Sequence, residues 1–405
     1  MRLNYKPIGK YVNLVEERNK ELQELPLIGL SITKQFIPSI ANTIGTDMST
    51  YRTIYKHQFA YSAVTSRNGD KLTIALFKDL EKGLISQAYT PFEVTDINEL
   101  LPEYLMMWFS RPEFDRYARF KSHGSARELF SWEDLCESLM PIPSITKQKE
   151  IVAEYNTIQN RIALNKQLIQ KLEETAQAIY KNWFVDFEFP DENGKPYKSS
   201  GGEMVESEMG EIPKEWEVKT IKDFCKEMKS GGTPSRDNLE FWNCKDIPWL
   251  KTGEVCNKVV IESEEYISLE GCKNSSAKKL PVNTVLIAMY GEGKTKGQAG
   301  YLRFEAATNQ ACCAMICEDE FHSALLYYFL RINQAEIASL ANGGAQPNLS
   351  KELIENIKFI KPITSDLKKH PFIKFINHSE TLERENQKLE ELKSLLLSKL
   401  ATIEN

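Results

Sequence analysis

The sequence predicts an α+β chain in which two α/β domains and two long helices follow one plan used twice. Three observations carry this. Short motifs recur in the same order at a near-constant offset. Each recurrence is followed by a long stretch with apolar residues at helical spacing. The segments before those stretches hold apolar runs of strand length bounded by turn residues.

The first domain spans 1–146. Phe59–Val64 and Leu72–Phe77 read as strands flanking Arg67-Asn68-Gly69-Asp70, where Asn-Gly is a hairpin-turn signal. Leu105–Phe109 reads as an aromatic helical patch. Gly124-Ser125-Ala126-Arg127 then leads through Ser131 and Glu133 to Pro143.

A long helix over 147–185 follows. Ile151, Tyr155, Ile158, Ile162, Asn165, Ile169, Leu172, Ala176, Ile179 and Trp183 step by four and three in alternation. That heptad seam is too narrow to be satisfied alone in water, so it needs a partner helix. Residues 147–183 as a helix span about 55 Å at 1.5 Å per residue, the length of a spacer. An acidic linker over 186–213 comes next. Between Asp186 and Glu211 it carries eight acidic residues against Lys195 and Lys198, with Pro190, Pro196 and Ser199-Ser200-Gly201-Gly202. Such a composition predicts a segment that is mobile or loosely laid on the surface.

The second domain spans 214–365. Val255–Ile267 and Thr284–Met289 read as strands, and Leu325–Phe329 mirrors the first aromatic patch. Gly343-Gly344-Ala345-Gln346 leads through Ser350 and Glu352 to Pro362, repeating the earlier block at an offset of 219 residues. Gln87-Ala88 is echoed by Gln310-Ala311, and Gln170–Glu174 by Gln387–Glu391. The second long helix, 366–405, offers Leu382, Asn386, Leu389, Lys393, Leu396, Leu400 and Ile403. Asn165 and Asn386 are candidates to fix register across the pair, or else polar residues at the seam's edge.

Composition narrows the function classes. Hydrophobic residues are 41% and charged residues 27% of the 405, so packed cores are expected rather than disorder. A net charge of −6 excludes a uniformly basic nucleic-acid binder but not a local basic cleft. No apolar run is long enough to span a membrane, and Met1–Pro7 lacks an apolar signal core. A cytoplasmic protein is expected. Seven of the eight cysteines lie between Cys225 and Cys317 without a CxxC pair, which points to buried reduced thiols rather than a metal site.

Catalytic motifs are offered and declined. Ala288–Thr295 fits a relaxed phosphate-loop pattern, but that chemistry needs a helix starting at Lys294, and Lys296-Gly297-Gln298-Ala299-Gly300 is poor helix material. Pro190-Asp191 with Glu217-Val218-Lys219 nominally fits a nuclease pattern, but Asp191 lies in the linker rather than on a core strand. No catalytic residues and no metal ligands are assigned.

At this point the residues carry a resemblance. The chain resembles type I restriction–modification specificity subunits over nearly its whole length. The likeness rests on the duplicated domain-plus-helix plan. It is sharpened by the string Gln177–Phe187, continuing through Gly194–Gly202 to Gly210–Trp216, and by Ser230–Ser235, Trp242-Asn243, Ile247–Leu250, Ala307–Ala311 and Ala345–Ser350. Tyr290–Gly297 stands where many relatives have a shorter Gly-Ser-Ile-Gly turn. The first domain lacks the Gly-Thr-Pro element, though Ile85–Tyr89 is similar to the family's Ser-x-x-Tyr strand. The resemblance implies two target-recognition domains separated by two antiparallel helices in a pseudo-two-fold, circular arrangement. It implies recognition of a bipartite, asymmetric site on double-stranded DNA, with a gap set by the helices. Two methylase subunits and nuclease subunits are the implied partners. S-adenosylmethionine, ATP and magnesium would serve the complex, with no cofactor on this chain.

Within that reading, side-chain chemistry nominates the contacts. Phosphate contacts are expected from Lys34, Arg52, Lys56, Arg67 and Lys71 in the first domain, and from Arg236, Lys251, Lys294 and Lys296 in the second. Base-edge contacts are expected from Ser39, Tyr61, Arg127, Thr233, Ser235, Tyr290 and Gln346, with Asn309 and Gln310 reading bases or capping a turn. Tyr180, Phe184 and Phe187, off the seam, are nominated for methylase docking, or for wedging the helix end against its own domain. The competing readings are a coiled-coil adaptor joining two protein-binding domains and a nucleotide-dependent enzyme using Gly293-Lys294-Thr295.

Overall fold

The computed structural model describes residues 5–41, 45–66, 69, 71–123, 128–291, 295–341, 348–363 and 371–403. The chain divides into two units, residues 1–162 with 388–405, and residues 163–387. Each unit contains one α/β domain and a segment of each of two long helices. The central helix runs Ile145–Phe184 and the C-terminal helix Phe372–Lys399.

The central helix starts where Pro143 ends an extended segment and Ser144 supplies a cap, its hydroxyl accepting from the Lys147 amide at 3.4 Å. It stops where Val185 and Asp186 both bond the Lys181 carbonyl and Phe187 turns to a φ of 60°. All ten predicted seam positions are buried or half-buried. Leu382, Asn386, Leu389, Lys393, Leu396, Leu400 and Ile403 are likewise covered on the C-terminal segment. In the first unit, Ile151 joins Leu397 and Leu400 in one core. In the second, the Asn165 side-chain amide donates to Asn386 Oδ1 at 3.0 Å, both residues being buried. Passing up the central helix from Asn165 to Tyr180 moves the contact back from Asn386 to Phe372, so these segments are antiparallel.

The sequence repeat appears as repeated structure. Tyr5–Pro7 pairs antiparallel with Leu139–Pro141, and Glu217–Thr220 pairs antiparallel with Lys358–Lys361. Ser131 and Ser350, matched at the repeat offset, both cap short helices, accepting from the Asp134 amide at 3.0 Å and the Leu353 amide at 3.1 Å. The two aromatic patches lie on helices Pro102–Phe109 and Glu320–Ile332, each packed into its own unit's core.

The sheets differ between the units. In the first, Val12–Leu14, Tyr89–Val94, Phe59–Ser62 and Ile74–Leu76 form a four-stranded antiparallel sheet. Phe59 opposite Leu76 confirms the predicted strand pair; Arg67, Asn68 and Asp70 of its turn lie outside the described residues. In the second, five strands run in the order Glu227–Ser230, Cys312–Ile316, Val285–Ala288, Ala299–Leu302, Lys258–Val260. Val285–Ala288 and Ala299–Leu302 are buried at every position because both sheet faces are covered. One face meets the helix Glu320–Ile332, and the other meets Leu250, Val255 and Leu280. The expected Val255–Ile267 strand is interrupted, leaving Lys258–Val260 and Glu265–Ile267 in different sheets.

One expectation is corrected. The 186–213 segment is folded: Phe189 stacks on Tyr197 at 4.6 Å and on Trp216 at 4.8 Å, and Met204–Ser207 forms a hairpin with Gly210–Pro213. Its acidic composition masked the aromatic anchors Phe187 and Phe189, which are buried while most of the segment stays exposed on the surface. The phosphate-loop pattern, declined because poor helix material follows it, is indeed followed by no helix. Thr295–Gly297 turns directly into strand Ala299–Leu302, which pairs with Val285–Ala288, so no helix N-terminus follows Lys294. The eight cysteines are free, and burial pushes the Cys312 and Cys313 thiols up to about 12.

Candidate nucleic-acid interface

Among the described residues, a densely hydrogen-bonded polar surface lies in the second unit around Ser230–Ser235. Gly231 and Gly232 let this turn press against two neighbours. A Cβ on Gly231 would stand 2.1 Å from the Asn309 carbonyl oxygen, and one on Gly232 would stand 2.5 Å from the Ala277 nitrogen. The Gly232 amide bonds the Thr308 carbonyl at 2.8 Å, and Trp249 Nε1 donates to the Gly232 carbonyl at 2.9 Å. These contacts fix Thr233, whose hydroxyl meets Gln310 Oε1 at 2.7 Å. Asn309 accepts from Thr252 at 3.0 Å and from the Ala311 amide at 3.2 Å, so its carboxamide shapes the turn.

Beside this turn, Arg236 lies flat on Trp242, 3.5 Å from the ring centroid, and also meets Trp249 at 5.0 Å. Its guanidinium pairs with Glu265 at 2.6 Å, and Lys251 pairs with Glu265 at 2.9 Å and Glu264 at 3.1 Å. Burial opposes ionisation of Glu265, but hydrogen bonds from Lys251 and Arg236 outweigh it and hold the carboxyl below its ordinary value. The two cations are thus pre-positioned at the surface by acidic neighbours. Glu264, Glu265 and Thr252 carried no motif signal in the sequence, whereas Trp242 and Trp249 lay in strings already noted. Ser235 and Tyr290 are exposed and Lys296 is half-buried. Lys294 and Gln346 lie outside the described residues.

In the first unit the nominated residues are not gathered so tightly. Lys71 is exposed, Arg52 sits half-buried on the strand Arg52–Tyr55, and Lys56 pairs with Glu81 at 2.5 Å. Ser39 accepts from the Ala41 amide at 3.2 Å, a local turn bond. Lys34 departs from its expected phosphate role. Its side chain is 9% exposed, and its ammonium donates to the Phe109 carbonyl and pairs with Asp115 at 2.6 Å. Burial lowers its pKa against the raising effect of Asp115. Tyr61 is 1% exposed, edge-on to Phe92 and tilted against Trp132, so it packs the core rather than facing a base. Arg67 and Arg127 lie outside the described residues.

The docking nomination is corrected. Tyr180, Phe184 and Phe187 are buried, because Phe184 packs on Tyr180, Trp216 and Phe372 while Phe187 meets Trp216 edge-on. They wedge the helix end into the second unit's own core. Among the described residues, no group of His, Cys, Asp or Glu is arranged to hold a metal, and no helix is long and apolar enough to cross a membrane.

Residues 213–394 match the type I restriction modification DNA specificity domain. The chain is 24% identical to the type I restriction enzyme HindI specificity subunit of Haemophilus influenzae, with 86% of each chain covered. It is 27% identical to the MjaIX specificity subunit of Methanocaldococcus jannaschii, covering 74% of this chain and 68% of that one. In fold it is similar to the crystal structure of a type I restriction-modification S subunit from M. genitalium. The TM-score is 0.56 at 14% identity, over 99% of this chain and 96% of that one. The domain match over residues 213–394 and the two relatives make the chain similar to type I restriction–modification specificity subunits, and the M. genitalium structure shares its fold.

Proposed function

We propose that this chain reads DNA sequence for a type I restriction–modification complex without performing chemistry itself. Each α/β domain would read one half of a bipartite, asymmetric site on double-stranded DNA, the helices setting the unspecified gap. Two methylase subunits and nuclease subunits would dock on it. They would carry adenine methylation and ATP-driven cleavage with S-adenosylmethionine, ATP and magnesium.

The observation that carries this reading is a shared scaffold with unlike surfaces. Both units repeat the same terminal strand pair and serine-capped helix, yet the surfaces beside them differ in sheet order and side chains. Two specificities on one frame require that combination. In the second unit, Thr233 and Gln310 present hydrogen-bonding groups suited to base edges, while Arg236 and Lys251 present cations suited to phosphate. Ser235, Tyr290, Lys294, Lys296 and Gln346 are proposed to extend that surface. Arg52, Lys56, Lys71, Arg67 and Arg127 are proposed for the first half-site.

The test is selection of bound duplexes from a random pool by the complex with its methylase subunit. Enrichment of two fixed half-sites at one spacing supports the reading. Salt-sensitive binding without any enriched sequence contradicts it and favours an adaptor role.

A further inference from the structure

We propose that Arg303 and Arg331 are positioning residues that lock the second recognition domain onto the two helix segments of its own unit. Through that lock they would fix the half-site spacing the complex accepts; this rests on the function proposed above.

Arg303 follows strand Ala299–Leu302, and its amide bonds the Val260 carbonyl at 3.0 Å, so the sheet fixes its backbone. Its guanidinium reaches out of the domain to the C-terminal helix, donating to Glu380 at 2.6 Å and Asn377 at 2.9 Å. On the domain side it holds Glu320 at 2.7 Å and Asn283 at 2.8 Å. Arg331, on the helix Glu320–Ile332, reaches the central helix instead. It donates to Glu173 at 2.8 Å while its other end holds the Asn257 carbonyl at 2.8 Å. Both pairs are largely buried, with Arg303 and Glu380 side chains at 16% and 17% exposure and Arg331 and Glu173 at 11% and 20%.

The domain is thus tied at two points to two different helices. Apolar packing tolerates sliding, but a planar guanidinium bonded on both sides specifies distance and angle together. The first unit seats its helix differently: Gln148 donates to the Glu99 and Pro143 carbonyls and accepts from the Leu101 amide.

A gap change of one base pair displaces a reader by about 3.4 Å and a tenth of a turn. A rigid seat rejects that change and a loosened one admits it. The experiment uses the full complex with its methylase subunit, carrying Arg303→Met, Arg331→Met or both. Methylation is measured on duplexes holding the selected half-sites at the native gap and at one base pair more or less. The expected result for the double variant is about a tenfold fall in the ratio of native-gap to altered-gap methylation, with native-gap methylation largely kept. A general loss of folding lowers both rates and leaves the ratio unmoved, so the ratio separates positioning from support. If the double variant does not fold, Glu173→Gln and Glu380→Gln, which keep side-chain volume, are read in the same way. Folded variants with an unchanged ratio overturn the lock. A wild-type complex that methylates no spaced site at all overturns the proposed function instead.

Discussion

Asn165 and Asn386, far apart in the chain, meet as a buried amide pair at 3.0 Å between the two long helices of the second unit. A polar pair inside an apolar seam fixes register because any slip leaves both amides facing hydrocarbon. Changing one partner to Leu strands the other, at about 1–3 kcal/mol. The double change Asn165→Leu with Asn386→Leu should recover that loss. Thermal unfolding of the two single variants and the double variant measures the coupling, and additive losses would contradict it.

Lys34 and Asp115 give a second stability test. The pair is about nine-tenths buried, so Asp115→Asn leaves an ammonium without its counter-ion. That should destabilise the protein by about 3 kcal/mol in denaturant unfolding. Joint replacement by Met and Leu should cost much less. A purely DNA-binding role for Lys34 predicts the reverse, with stability unchanged and affinity lowered.

Gly231→Ala and Gly232→Ala should disturb second half-site recognition, since the added Cβ meets backbone atoms at both positions, with the Ser276 hydroxyl also in the way at Gly232. Gly253→Ala is the control, because nothing lies within 4 Å of its added Cβ. Binding to duplexes altered in one half-site at a time separates the effects. Loss confined to one half is expected for the first two variants and no loss for the control.

Lys251→Ala should lower affinity evenly across sequences and reduce the slope of log affinity against log salt by about 0.9. Titration at several salt concentrations reads it. An unchanged slope would remove Lys251 from the phosphate contacts.

Phe184→Ala opens a cavity between Tyr180, Trp216 and Phe372 and should cost about 3–5 kcal/mol of stability. Calorimetry of the free chain checks this. A fully stable variant that merely fails to bind methylase would restore the docking role to this aromatic.

These contrasts show what the sequence made legible. The seam, the strand pair at Phe59 and Leu76, and the Ser131–Ser350 match were readable because periodicity and repeated motifs are written in the sequence itself. The Asn165–Asn386 contact followed from two seams needing each other. For Tyr180, Phe184 and Phe187 the sequence left docking and wedging both open, because the seam counts only one helix face and Trp216, the partner of Phe184 and Phe187, arrives from a later segment. Lys34 was misassigned because nothing local reveals Asp115 beneath it. The clamps at Arg303 and Arg331 were invisible for the same reason, each joining residues more than seventy positions apart in a folded geometry that spacing cannot encode.

If two unlike readers on one repeated frame specify a split DNA site, the chain dictates where its complex methylates. Co-expression of this chain with its cognate methylase subunit, followed by genome-wide mapping of methylated adenines by long-read sequencing, tests it most directly. The expected result is one asymmetric bipartite motif with a fixed gap, absent when the chain is omitted. A well-formed complex with an active methylase and no such motif, or the same motif without this chain, would contradict it.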